Sequence, residues 1–322
     1  MDRPLRNLVE LERGSCARFA ERPVLGTKRD GQWVWTSYRE LAELVDRCRA
    51  GLHGLGVRRG DVVAIVANNC VEWAVAAFAA YGLEATFVPM YEAQHPKEWK
   101  FILEDCGAKV VFAKAGRSYD RMIELQAELP AVEHVVGIGL PRDEARSFDA
   151  LLDAGRASPV EPLEPAPTVT AGFIYTSGTT GKPKGVVLSH GNIASNISAS
   201  VEVFPLAPED RSLSFLPWAH SYGQMELYFV LAQGASLALN DDVKEVLPNL
   251  AEVKPTILVT VPRIFNRVFE AVQKDMAERP PVVRKLFEDG IRAATRKNRG
   301  EPVGLVERLE LTVDDKLIFR KV

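Results

Sequence analysis

The 322-residue sequence has few cysteines, no long apolar run and almost no excess of either charge. Its four cysteines form no Cys-x-x-Cys pair, which argues against structural zinc and against a dense disulfide framework. No apolar stretch approaches the roughly 20 residues that span a bilayer. Forty basic and 43 acidic side chains give a net charge of −3, so we expect no nucleic-acid partner. The charged start, MDRPLRNLVELERG, is unlike a signal peptide, and we expect a cytoplasmic protein with reduced thiols.

Two common nucleotide-binding patterns are missing as well. A Walker loop needs a glycine five places before its Gly-Lys pair and a serine or threonine after it, but Thr176 and Pro183 stand at those positions. Gly54, Gly56 and Gly60 have the wrong spacing for a dinucleotide-binding fingerprint. P-loop NTPases and dinucleotide-dependent enzymes are therefore disfavoured.

A hydrolase triad is also disfavoured. Ser177, Ser189 or Ser221 could in principle join a histidine and Asp210, but the sequence has no Gly-x-Ser-x-Gly elbow to expose the nucleophile.

The most informative segment covers residues 173–192 and reads FIYTSGTTGKPKGVVLSHGN. It predicts an apolar strand, then a loop of glycines, hydroxyls and lysines, then a helix start, an order that presents backbone donors and positive charge to phosphate. Glycines let a phosphate approach the main chain, hydroxyls are short donors, and lysines add charge. The residues are Ser177, Gly178, Thr179, Thr180, Gly181, Lys182 and Lys184. ATP chemistry is the leading hypothesis, and a solvated turn is the alternative.

Within this segment, YTSGTTGKPKG resembles, residue for residue, the phosphate loop of the acyl-activating, adenylate-forming (AMP-binding) enzymes. Residues 35–69, WTSYRELAELVDRCRAGLHGLGVRRGDVVAIVANN, are similar to the opening helix and strand of that family. Residues 81–113, YGLEATFVPMYEAQHPKEWKFILEDCGAKVVFA, resemble its next conserved stretch. The resemblance covers most of the chain.

Two later segments resemble the long-chain fatty acid–CoA ligases within this family. Residues 216–228, LPWAHSYGQMELY, are similar to the segment whose histidine borders the acyl pocket, and residues 260–272, TVPRIFNRVFEAV, are similar to a helix typical of those enzymes. Gln224 stands where the long-chain pattern commonly has an arginine, four places after the histidine. A fatty acid is therefore the expected substrate, with its chain length left open.

The resemblance implies a two-step reaction and a role for each matching residue. A carboxylate and ATP give an acyl adenylate and pyrophosphate, and CoA then forms the thioester, with Mg²⁺ as the metal. Thr176 is implied as the hydroxyl next to the magnesium ion, and Lys184 and His220 as catalytic residues, His220 at the acyl and α-phosphate region. The implied nucleotide-binding residues are Thr176, Ser177, Gly178, Thr179, Thr180, Gly181 and Lys184.

Each assignment has a structural alternative. Thr176 can simply end its strand, and Lys184 can be a solvated lysine. His220, beside Trp218, can be a packed core residue. His190 follows Ser189 at a predicted helix start, where a capping role is expected.

Alternating helical and apolar segments predict an α/β fold with two sheet-based subdomains and helices on both sheet faces. Ser37 and Glu40 have capping-box spacing before a helix, and Asp61 to Ala67 reads as a buried strand. Four prolines crowd residues 156–171, which places a boundary near residue 165 between subdomains 1–165 and 166–322. Further strands are predicted at residues 86–90, 109–113, 172–176, 212–216, 236–239 and 256–260, and helices at 71–83, 96–105, from 189, 222–231 and 282–299.

The last predicted helix, residues 282–299, is basic and amphipathic, so it presents either a solvated face or a peripheral membrane contact. Family members continue beyond a segment like LTVDDKLIFRKV, so we expect this chain to be the N-terminal portion of a longer synthetase, weakly active or inactive alone. Three functions stay open: a fatty acid–CoA ligase, an adenylate-forming ligase for an aryl or amino acid, and a non-catalytic nucleotide-binding module.

Overall fold

A computed structural model of the chain describes residues 4–176, 183–240 and 242–300. The chain forms two compact units, residues 1–259 and 260–322. In the first unit the elements are α1 (Leu8–Arg18), β1 (Pro23–Arg29), β2 (Gln32–Ser37), α2 (Tyr38–Gly54), β3 (Val62–Val66), α3 (Val71–Tyr81), β4 (Thr86–Met90), α4 (Pro96–Cys106), β5 (Ala108–Lys114), α5 (Arg117–Gln126), β6 (His134–Ile138), α6 (Phe148–Ala157), β7 (Thr170–Thr176), β8 (Lys184–Ser189), α7 (His190–Val203), β9 (Arg211–Ser214), α8 (Ser221–Ala232), β10 (Ser236–Leu239), the 3-10 helix Val243–Glu245 and α9 (Val246–Val253). In the second unit they are α10 (Pro262–Ala277) and α11 (Pro281–Asn298).

Helix boundaries follow local sequence signals. At the start of α2, the Ser37 side chain accepts a hydrogen bond from the Glu40 main chain, and the Glu40 carboxylate accepts one from the Ser37 main chain. This is the predicted capping box, and it satisfies two N–H groups that the first helical turn leaves unpaired. Helix α4 begins with Pro96 and is followed by Gly107, whose φ of 65° is a left-handed conformation that glycine adopts at low cost.

The strands of the first unit form two mixed sheets. One has the order β2-β1-β10-β9 and the other the order β6-β5-β3-β4-β7-β8. Most neighbours are parallel, and the antiparallel pairs are β1 with β2 and β7 with β8. The α/β architecture with two sheets is as predicted, while the hairpins at two sheet edges were not anticipated.

Helices cover both faces of the six-stranded sheet, as strand β3 demonstrates. Val63 and Ile65 join a core that also contains Leu237 of β10 and thus lies between the two sheets; we call this the inter-sheet core. Val62, Ala64 and Val66 join a second cluster with residues of α4 and α5, which we call the outer core. Because successive side chains of a strand point to opposite faces, this alternation requires burial on both sides. The predicted continuous apolar strand is confirmed.

Most predicted elements are present, and one is wrong. Strands at 86–90 and 236–239 are found as predicted, and the others lie within a few residues of their expected bounds. Residues 256–260 do not form the predicted strand. The main-chain N–H groups of Thr256 and Ile257 both donate to the carbonyl of Arg211, so the segment contacts the first residue of β9 without forming a ladder. Its apolar composition favoured a strand, but its tertiary contacts did not extend the sheet.

The proline-rich segment connects α6 to β7 without helix or strand, as expected. Each sheet, however, contains strands from both sides of residue 165. β1 pairs with β10 in one sheet, and β4 pairs with β7 in the other. The division into subdomains 1–165 and 166–322 stays a prediction.

In the second unit, α10 and α11 pack through Met276 and Phe287, which are buried. Helix α11 is the predicted basic helix. Among the described residues, no helix combines the length and apolar character that crossing a lipid bilayer requires.

His190, at the first position of α7, gives the fold a specific pH dependence. Its side chain is fully buried, its Nδ1 accepts the Leu8 main-chain N–H at 3.3 Å, and its ring meets that of Tyr81 edge-on. Burial lowers its pKa from 6.5 to about 4. The expected capping role is not observed, because Ser189 and Asn192 cap the helix.

We expect the free energy of unfolding to decrease as the pH falls, because of His190. Its side chain binds a proton near pH 6.5 in the unfolded chain but only near pH 4 in the folded chain. Between pH 6.5 and pH 5 the free energy of unfolding should decrease by roughly 1.5 kcal/mol because of this residue. Urea unfolding of the wild-type chain and of His190→Gln at both pH values measures it. The difference between the two proteins isolates His190 from other groups, and equal pH slopes would contradict the assignment.

Candidate functional site

Thr176 and Lys184 lie opposite each other at the base of a β-hairpin. Thr176 ends β7, Lys184 begins β8, and the two are register partners in the antiparallel pair. Both are exposed. Side chains of directly opposed residues share one sheet face with their Cβ atoms roughly 5 Å apart. The side chains of Thr176 and Lys184 therefore share one face of the hairpin, at the point where the main chain enters and leaves the intervening residues.

The loop itself carries the other predicted phosphate-binding residues. Ser177, Gly178, Thr179, Thr180 and Gly181, together with Lys182, lie outside the described residues.

The sequence suggested that the loop leads directly into a helix, but the structure shows a strand between them. Strand β8 lies between the loop and α7, whose N-cap is Ser189. β8 runs antiparallel to β7, so its far end and the start of α7 lie at the opposite end of the hairpin from the loop. The N-terminus of α7 therefore lies too far from the ends of the loop to contribute its dipole there.

The hairpin is fixed on its outer side by Tyr175. Its hydroxyl donates to Asp105 Oδ2 at 2.5 Å. Burial and this hydrogen bond raise the Tyr175 pKa well above its ordinary value. A Cβ at Gly185, the register partner of Tyr175, would lie 3.1 Å from the tyrosine ring, so glycine leaves room for it. Tyr175 belongs to the outer core, so the next residue, Thr176, points to the opposite face, where the inter-sheet core lies.

The segment that carries His220 reaches the same sheet edge. β3, β4 and β7 are parallel neighbours, so their carboxyl ends lie side by side, about 10 Å apart across two strand spacings. Asn69 follows the end of β3. Its Nδ2 donates to the Leu216 carbonyl at 2.9 Å, and its Oδ1 accepts the Trp218 main-chain N–H at 2.9 Å. Asn69 thereby attaches the segment between β9 and α8 to the edge where the hairpin loop begins.

His220 is exposed and is the N-cap of α8. Its Nδ1 accepts the Tyr222 main-chain N–H at 3.2 Å. A neutral imidazole whose Nδ1 is an acceptor carries its proton on Nε2, which leaves that atom as a donor. The histidine is therefore not packed in the core, whereas Trp218, two residues earlier, is buried.

Trp218 holds the segment from inside. Its ring packs edge-on against Trp73, with centroids 5.2 Å apart, and its indole N–H donates to Ser214 Oγ at 3.2 Å. Gly223 in the first turn of α8 lies so close to the Pro217 carbonyl that a Cβ there would collide with it. Residues 216–219 are therefore packed on both sides, and His220 follows them at the surface.

Thr176, Lys184 and His220, which the sequence suggested as site residues, are all exposed, but sequence reasoning missed the polar residues that contact the segment before His220. Asn69 and Leu216, and likewise Ser214 and Glu226, are hydrogen-bonded although they lie more than ten positions apart in the sequence. A local signal that could have pointed to Asn69 is a polar residue shortly after a buried strand.

We expect Asn69→Ala to destabilise the first unit by about 2 kcal/mol, because it leaves the buried Trp218 N–H and Leu216 carbonyl without their partner. Asn68→Ala is the matched control, since Asn68 is the adjacent but exposed residue. Urea unfolding followed by circular dichroism measures both. Equal unfolding midpoints for the two variants would mean that the Asn69 contacts do not hold the segment.

Comparison with known proteins shows the family to which the chain belongs. A profile of the AMP-binding enzyme family matches residues 13–298. The long-chain-fatty-acid–CoA ligase FadD15 of Mycobacterium bovis is 32% identical over 304 residues, which are 91% of this chain and 50% of that protein. The peroxisomal long chain acyl-CoA synthetase 7 of Arabidopsis thaliana is 30% identical over 323 residues, 94% of this chain and 45% of that protein. The chain spans about half the length of the curated relatives it matches.

The fold has a solved counterpart in the inhibitor-bound N-terminal domain of FACL13 from Mycobacterium tuberculosis. The two are 27% identical with a TM-score of 0.71, over 81% of this chain and 64% of that one. The predicted fold type, that of the N-terminal domain of adenylate-forming enzymes, is confirmed. Because the family profile matches residues 13–298, most of the sequence, the chain belongs to the AMP-binding enzyme family.

Proposed function

We propose that the protein is a fatty acid–CoA ligase. In the first step an oxygen of the fatty acid carboxylate forms a bond to the α-phosphorus of ATP, and pyrophosphate leaves. In the second, the sulfur of CoA forms a bond to the acyl carbon, and AMP leaves with the electron pair of the broken C–O bond. Membership of the AMP-binding family supports the reaction type, and the relatives named as long-chain ligases support the acid.

The pairing of Thr176 and Lys184 carries this proposal. Both are exposed at the carboxyl edge of the sheet, and Asn69 brings the His220 segment to the same edge. An ammonium group and a hydroxyl suit a polyphosphate, because charge-assisted hydrogen bonds to its oxygens are the strong ones. We assign the β- and γ-phosphates to Lys184 and to residues 177–181.

The donor set also fits Mg²⁺ bound together with ATP. Magnesium prefers oxygen ligands and is usually held by one or two protein groups plus substrate phosphates. Thr176 would supply the protein oxygen. When bound, the ion neutralises phosphate charge, while Lys184 orients the polyphosphate for attack.

His220 has a distinct task in the proposal. Because its Nδ1 is engaged by the Tyr222 N–H, its Nε2 proton is available to an oxygen of the acid or of the α-phosphate. A donor placed where negative charge grows on oxygen stabilises the transition state. We therefore assign His220 to the boundary between the acyl group and the α-phosphate.

The test is a substrate panel in the longest natural polypeptide that contains these 322 residues. Pyrophosphate release and thioester formation are followed with ATP, Mg²⁺, CoA and one acid from each class: hexadecanoate, benzoate and an amino acid. The proposal expects the fatty acid to give the highest kcat/KM. Preference for benzoate or the amino acid would select another adenylate-forming ligase, and ATP binding without turnover of any acid would select a non-catalytic module.

Two further assignments remain proposals. Peripheral membrane contact through α11 rests on the basic amphipathic sequence of that helix, and a cytoplasmic location rests on composition. Vesicle co-sedimentation with anionic lipids and cell fractionation test them.

A further inference from the structure

A buried carboxylate lies behind the segment that presents His220. Glu226 on α8 is 2% exposed, and it reaches back to β9. One of its oxygens accepts the Ser212 hydroxyl at 2.8 Å, and the other accepts the Ser214 hydroxyl at 2.7 Å. Both serines are fully buried. Burial raises the Glu226 pKa from 4.5 to about 7, against the effect of the two serines, so this carboxylate is costly to keep in the core.

The contacts around Ser214 have a fixed direction. Besides donating to Glu226, its oxygen accepts the Trp218 indole N–H at 3.2 Å and the Asn69 Nδ2–H at 3.4 Å. Both of these partners are donors only. A hydroxyl has a single hydrogen, so the Ser214 proton must point to Glu226. Above its pKa of about 7 the Glu226 carboxylate is ionised and only accepts hydrogen bonds, so it fixes that direction.

The direction matters because Trp218 precedes His220 by two residues. With the Ser214 hydrogen directed at Glu226, the Ser214 lone pairs receive the indole and the Asn69 amide. The same asparagine holds the Trp218 main chain. The chain of contacts thus runs from Glu226 through Ser214 and Trp218 to the turn that exposes His220.

We propose that Glu226 is a positioning residue that fixes His220 by orienting the Ser214 hydroxyl toward itself and so holding the indole of Trp218. The proposal rests on the proposed function in one respect, namely that His220 acts on the acid or the α-phosphate. The carboxylate does not touch substrate. Glutamine at position 226 has the same shape but presents an NH₂ group to one serine, which leaves either Ser212 or Ser214 with its hydrogen misdirected.

The structural arm of the test uses NMR of the 322-residue chain with labelled tryptophan and histidine at pH 8. The chain has five tryptophans and five histidines, and Trp218→Phe and His220→Ala assign the relevant signals. Glu226→Gln should shift the Trp218 indole and His220 imidazole resonances by more than their line widths. The matched control is Glu252→Gln, since Glu252 accepts the indole N–H of Trp33 at 3.0 Å on the exposed surface. The control should move only the Trp33 signal.

The kinetic arm is a double-mutant cycle on kcat/KM for the acid, in the longest natural polypeptide containing the chain. Glu226→Gln should lower kcat/KM roughly tenfold when His220 is present and have no further effect in His220→Ala. If Glu226→Gln does not fold, Ser214→Ala replaces it in both arms, because that change removes the bridge and leaves the carboxylate bonded to Ser212.

The outcomes separate this inference from the proposed function. Unmoved Trp218 and His220 resonances in both Glu226→Gln and Ser214→Ala, or an equal tenfold loss with and without His220, would overturn the positioning role. If the wild-type protein turns over no acid, the proposed function fails, and the His220 resonance alone decides the positioning role.

Discussion

On the proposed assignment of Lys184 to the phosphates, we expect Lys184→Ala to slow acid-dependent pyrophosphate release by between about 10² and 10³-fold, the cost typical of removing one preorganised group that stabilises transition-state charge. Lys184 is exposed at the start of β8, opposite Thr176, so its loss should leave the unfolding midpoint unchanged. The loss should appear mainly in kcat, because charge on the phosphates grows as the leaving group departs.

The control for this prediction is Lys100→Ala. The Lys100 ammonium pairs with Glu128 at 2.7 Å on the surface, a kind of ion pair that contributes at most about 1 kcal/mol to stability. Release of pyrophosphate is measured at saturating ATP and hexadecanoate in the longest natural polypeptide that contains the chain. A rate for Lys184→Ala equal to that of Lys100→Ala would remove Lys184 from the phosphate site.

A second large effect is expected in the centre of the six-stranded sheet. Gly172 is the register partner of Phe87, the pair that joins β4 to β7. A Cβ at Gly172 would lie 2.5 Å from the Phe87 carbonyl oxygen, a main-chain atom that cannot move without displacing β4. We expect Gly172→Ala to lower the free energy of unfolding by roughly 4 kcal/mol, above the usual cost of overpacking because backbone meets backbone.

The same substitution at Gly14 provides the control. Gly14 lies inside α1, and an added Cβ there meets no atom within 4 Å. Alanine should stabilise that helix by about 0.5–1 kcal/mol, because glycine loses more conformational entropy on folding. Urea unfolding measures both variants. Similar stabilities would mean that β4 and β7 separate freely, and the hairpin would then not be fixed at the sheet edge.

Local sequence patterns determined several secondary-structure elements and the family of this protein. The apolar run of β3 and the capping box of Ser37 and Glu40 could both be identified without a structure, because hydrophobic period and cap chemistry involve neighbours in the chain. The resemblance of YTSGTTGKPKG to one family's loop pointed to the family that the comparisons confirm.

Sheet order and the site's support were decided only by tertiary structure. The sequence could not indicate that β8 turns back along β7, that residues 256–260 stay outside the sheet, or that β1 pairs with β10. Glu226 looked like an ordinary helix residue until α8 packed against β9 and buried its carboxylate between two serines. Contacts of this kind join residues distant in sequence, and the free energy of burying a polar group depends on those partners, so no local pattern can encode them.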